Sequence, residues 1–145
     1  MHNSTFITAL LFLVVSCGCP DTPAEECGKT SRGSYIFSKE LSEISANDLD
    51  ILAGLKIRLN EDGSFNMSKA IPHLNDSAGK WEVINELQVE GCYPYIRLLF
   101  NNGRKKDISC CCGSKQDFNI RTPYSLSDSV PSKYGFLSFV RVNEW

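Results

Sequence analysis

Seven cysteines and two histidines are the side chains best suited to chemistry in this chain of 145 residues. The cysteines stand at Cys17, Cys19, Cys27, Cys92, Cys110, Cys111 and Cys112. None is spaced as Cys-x-x-Cys, so a zinc ribbon is unsupported. On a strand, neighbouring side chains point to opposite faces, which argues against a thiolate metal cluster at Cys110-Cys111-Cys112. Beyond His2 the chain has a single histidine, His73, between Pro72 and Leu74. A Ser-His-Asp or Cys-His mechanism would have to use it, yet no nucleophile elbow surrounds it. It reads as a solvated loop residue. Asp and Glu are scattered, and no Gly-rich loop suggests phosphate binding. The expectation is a non-enzymatic protein with no metal and no cofactor.

The charge balance narrows the partners. Fifteen Lys and Arg against seventeen Asp and Glu give a net charge of −2, so there is no basic surplus for nucleic acid. The apolar run Phe6 to Val15 is too short to span a bilayer, which takes about 20 residues. It fits the apolar stretch of an export signal. Its end, Val14-Val15-Ser16-Cys17, resembles a bacterial lipobox. That resemblance implies a signal peptide over residues 1–16 and a lipid on Cys17. Acyl chains hold a protein on a membrane at about 0.8 kcal/mol per buried methylene. Residues 17–32, rich in Pro, Gly and acid at their start, are expected to be an extended tether.

With Cys17 lipidated, six cysteines remain, an even number that in an exported chain reads as disulfides with fifteen possible connectivities. The strand pattern constrains them. Ile57 and Leu59 alternate with Lys56 and Arg58, and Asn60-Glu61-Asp62-Gly63 turns the chain toward Phe65 and Met67. Ser45-Ala46-Asn47-Asp48 is a capping box with Asp at its last position, and Gly54 can end the brief helix it opens. Trp81 and Val83 lie on the next strand, and Asn85-Glu86 is read as a turn before Leu87 and Val89. Asn101-Asn102-Gly103 is a three-residue hairpin loop that sets Phe100 opposite Arg104 and Ile96 opposite Ile108. Continued outward, that register sets Cys92 opposite Cys112, close enough for a disulfide after modest adjustment. Cys110 or Cys111 is then left to hold the amino-terminal segment through Cys19 or Cys27. The charges from Arg104 to Asp107 read as a solvated turn beside the hairpin tip.

Eight or nine short strands joined by tight turns, with one short helix, define an antiparallel barrel or sandwich. The run Ile57-Arg58-Leu59-Asn60-Glu61-Asp62-Gly63-Ser64-Phe65, followed by Gly79-Lys80-Trp81, resembles the pattern L-x-L-x-x-D-G-x-F … G-x-W. That pattern recurs in small lipocalin-like lipoproteins of Bacteroidetes. The resemblance implies an up-and-down, lipocalin-like barrel over residues 33–145. It also implies a cell-envelope location, at the outer membrane or cell surface, or facing the periplasm.

The leading expectation is therefore a membrane-anchored lipoprotein that binds a small hydrophobic ligand or a protein partner. Phe65, Trp81, Phe100 and Phe139, with Tyr95, are candidates to line a cavity in the barrel. The alternatives are a structural or interaction module with a filled core, and a secreted, disulfide-stabilised inhibitor-like domain.

Overall fold

The computed structural model describes residues 21–88, 91–110, 117–127 and 130–143. Helix α1 (Asp21–Ser31) precedes strand β1 (Gly33–Glu43), helix α2 (Ala46–Ile51) and strands β2 (Lys56–Leu59) and β3 (Ser64–Met67). Strands β4 (Ala78–Gln88), β5 (Gly91–Phe100), β6 (Lys105–Cys110), β7 (Phe118–Pro123) and β8 (Tyr134–Val142) follow. Each strand pairs antiparallel with the next, and β8 returns to pair with β1, closing an up-and-down barrel of eight strands. Closure joins the first strand to the last, so neither ends the sheet as an edge.

Period-two alternation fills the barrel. Ile57, Leu59, Phe65, Trp81, Ile96, Leu98, Phe100, Ile108, Ile120 and Phe139 are all buried. Phe118 stacks on Phe139 at 5.0 Å between ring centroids, and Phe65 meets Phe100 edge-on, also at 5.0 Å. At one end, α2 and the following loops bring Leu52, Leu55, Ile71, Leu74 and Leu126 over the core. Ser45 caps α2 by accepting from the Asp48 amide at 3.4 Å. Asp48 is buried, and its carboxylate also receives the Leu126 amide at 3.0 Å, tying the helix to the loop before β8. Gly54, at φ 73°, ends this segment in the left-handed region.

The β2–β3 turn accounts for the Asp-Gly and Gly-x-Trp signature. Gly63 has φ 80°, and Asp62 Oδ1 accepts from the Ser64 amide at 2.9 Å. These bonds hold the Asp62 carboxyl below its ordinary range, the Ser64 hydroxyl contributing most and the Ser64 amide next. The Trp81 indole donates to the Asn60 carbonyl at 2.9 Å, so the tryptophan both fills the core and clamps the turn. At Gly79 a Cβ would run into the Leu99 carbonyl of β5, so close strand approach demands glycine there.

Three sequence readings are corrected. The expected tether is helical from Asp21 to Ser31. Pro23 sits in the first turn, where its missing N–H costs little, and Glu25 and Glu26 are strong helix formers. Arg141 of β8 caps the other end, donating to the Thr30 and Arg32 carbonyls at 2.6 and 2.5 Å. The helix buries Cys27 and packs on β4 and β5, with Gly28 facing Val83. There are thus two helices rather than one. Finally, Asn85-Glu86 is not a turn. Strand β4 runs unbroken to Gln88, with Asn85 paired to Pro94 and Gln88 to Gly91, because nothing at Asn85-Glu86 breaks the alternation.

Candidate functional site

Among the described residues, two places meet the requirements of a site. The first is the barrel interior. The structure places Phe65, Trp81, Phe100 and Phe139 inside it, at 2%, 9%, 3% and 0% exposure. Their rings pack on one another and on their neighbours: Phe65 on Phe100, and Phe139 on both Phe118 and Phe37. Tyr95 lies apart from them. It stands on the opposite face of β5 from Ile96, beside Arg97, which donates to its hydroxyl at 3.0 Å.

The second place is a concavity of about 500 Å³ on the outer wall, lined by Arg97, Lys105, Lys106, Asp107, Arg121 and Tyr134. Its volume falls in the range of small-molecule sites, about 300–1,000 Å³. Strand pairing builds it. Glu82 faces Arg97 across β4 and β5, Arg97 faces Asp107 across β5 and β6, and Arg121 faces Phe136 across β7 and β8. The β6–β7 ladder pairs Ile108 with Ile120, so one step further it sets Asp107 beside Arg121. One row thus crosses the wall as Glu82, Arg97, Asp107, Arg121 and Phe136. A second row above it carries Lys105 and Tyr134.

Within the concavity Arg97 holds Asp107 through both oxygens, at 2.7 and 3.1 Å. This fork raises the Arg97 pKa above its ordinary value. Arg121 is not spent on a carboxylate among the described residues. Its guanidinium lies 4.5 Å from the centroid of the Tyr134 ring. Lys106 points toward the rim, where its ammonium donates to the Arg121 carbonyl at 3.4 Å. Partial burial, and then Arg104, lower its pKa.

His73 borders this region and corrects the solvated-loop reading. Its carbonyl accepts from Arg104, and its Nε2 is 3.4 Å from the Thr122 hydroxyl. Burial above all, then Lys106 and Arg104, push its pKa down to about 4. The stretch Arg104 to Asp107 is corrected in one respect: its charges are largely exposed, as read, but Lys105, Lys106 and Asp107 lie on strand β6 and line the concavity.

The cysteines divide differently. Cys17, Cys19, Cys111 and Cys112 lie outside the described residues, as does the predicted Cys92–Cys112 bridge. On the backbone, Cys92 pairs with Leu87 and Cys110 with Phe118. Cys27 is fully buried and disulfide-bonded. Among the described residues no helix is long and apolar enough to cross a membrane.

Compared with protein-family models, curated proteins and solved structures, the chain matches none. What the fold defines on its own is a closed, antiparallel, up-and-down β-barrel of eight strands.

Proposed function

We propose that this chain is an exported, lipid-anchored, non-enzymatic binding protein of a bacterial envelope, and that it recognises its partner through the outer concavity of β5 to β8. One observation carries the reading. A protein of net charge −2 gathers Arg97, Lys105, Lys106 and Arg121 around a single carboxylate, Asp107, in a concave wall edged by Tyr134. A small hydrophobic ligand inside the barrel is the weaker reading, because the candidate rings already pack against each other.

The anchor fits this arrangement. Four residues' worth of chain separates Cys17 from Asp21, a reach of at most about 14 Å. The lipid on Cys17 would therefore sit near α1. Helix α1 packs toward the end of the barrel where Arg32 meets Glu61 of the β2–β3 turn. Lys105 and Tyr134 open their strands at the opposite end. The concavity would thus face away from the attachment point. The cysteines Cys92, Cys110, Cys111 and Cys112 would supply disulfides, one of them clipping α1 to the barrel through Cys27.

The test uses detergent-extracted full-length chain. At neutral pH and low salt it should be retained on a cation exchanger despite its net negative charge, through this local patch. Lys105→Glu with Arg121→Glu should abolish retention, and Cys17→Ser should release the chain from membranes. Flow-through of the wild type, or membrane binding and mass unchanged in Cys17→Ser, would contradict the reading.

A further inference from the structure

We propose that the concavity binds a carboxylated sugar, a uronic acid unit of an acidic polysaccharide; this rests on the outer wall being the recognition site. The inference comes from the mixture of groups there. Three different kinds of contact surface converge within one site of about 500 Å³, room for one or two sugar rings.

The first is a pair of cations available to an anion. The Arg121 fork matches a carboxylate in two parallel hydrogen bonds, and Lys105 has no hydrogen bond or ion pair among the described residues. The second is an acceptor fixed in place. Asp107 is clamped by Arg97 from one side, and each of its oxygens keeps lone pairs able to receive a hydroxyl. The third is an apolar edge. Tyr134 is 52% exposed and Phe136 43%, and Arg121 lies against the Tyr134 ring. Exposed ring surface is the kind on which the C–H face of a pyranose rests.

A uronic acid presents those three groups together: one carboxylate, several hydroxyls and an apolar ring face. An acidic peptide offers carboxylates but neither a row of hydroxyls for Asp107 nor a C–H ring face for Tyr134. A phosphate offers oxygens for the cations but no apolar face. A neutral sugar would leave Arg121 and Lys105 without a partner.

The experiment titrates detergent-extracted full-length chain with tetragalacturonate, cellotetraose and tetraglutamate by calorimetry. Tetragalacturonate should bind at least about tenfold more tightly than either comparator, the step expected of a paired carboxylate and satisfied hydroxyls. Arg121→Gln and, separately, Lys105→Gln should weaken it, the first by about tenfold, with melting temperatures near wild type. Tyr134→Ala should weaken tetragalacturonate and leave any tetraglutamate binding unchanged. If tetraglutamate binds as tightly and loses affinity in the same variants, the sugar assignment fails and the recognition site stands. Equal binding of cellotetraose also overturns the assignment. If none of the three binds while the wild type is retained on the cation exchanger, the sugar assignment fails and the recognition site stands; if the wild type also flows through, both fail.

Discussion

The inside and the outside of this barrel wall are built from the same strands and obey opposite rules. On β5, Ile96 and Leu98 face inward and are buried, while Arg97 between them reaches outward to Asp107. On β7, Ile120 and Thr122 are buried and Arg121 lies over Tyr134. The inner face is satisfied by its own rings. The outer face keeps Lys105 and Arg121 uncommitted to any carboxylate among the described residues. Self-satisfaction inside and unspent charge outside separate what holds this protein together from what it offers to others.

The comparison breaks most sharply under truncation. Phe65→Ala should destabilise the fold by about 3–5 kcal/mol, since it removes a buried ring and leaves a cavity beside Phe100. Arg121→Ala should change stability by no more than about 0.5 kcal/mol. Urea denaturation followed by tryptophan fluorescence measures both. Equal losses would mean that the outer wall is structural.

A smaller effect is expected at the β2–β3 turn. Gly63 holds φ 80°, and a β-branched residue resists that conformation. Gly63→Val should cost about 1–3 kcal/mol in the same denaturation assay. A wild-type midpoint would show that the clamp from Trp81 to Asn60 fixes the turn alone.

The smallest effect concerns pH. His73 titrates near 4 when folded and near 6.5 as its ordinary value, so the unfolded chain binds the extra proton first. The contribution of neutral His73 is fully present above about pH 6.5 and is lost as pH falls toward 4. Discounted for partial solvent screening, it should amount to about 1 kcal/mol. Comparing denaturation midpoints at pH 7 and pH 4.5 for wild type and His73→Gln isolates it. An identical pH dependence in the variant would place His73 in open solvent.

Much of the barrel was legible because turn chemistry and alternation agree. Asn101-Asn102-Gly103 fixes the loop length, and Ile96 and Ile108 must share a face, so the β5–β6 register followed directly. The capping box at Ser45 and the turn at Gly63 were readable for the same reason. Helix α1 was not, because Pro23 and the acidic residues give it the composition of a linker. Its burial depends on Cys27 and on Val83, which is distant in sequence. The concavity was illegible for a different reason. Arg97, Asp107 and Arg121 become neighbours only when three strands are laid side by side in register. In the sequence each is simply a charge beside an isoleucine of an alternating strand.

The most direct test of the two-faced wall is an amide chemical-shift map of the isotope-labelled full-length chain titrated with tetragalacturonate. The account predicts shifts concentrated at Arg97, Lys105, Asp107, Arg121 and Tyr134, with the amides of Phe65 and Phe139 unmoved. Shifts centred on Phe65, Phe100 and Phe139 would place the ligand inside the barrel and contradict it.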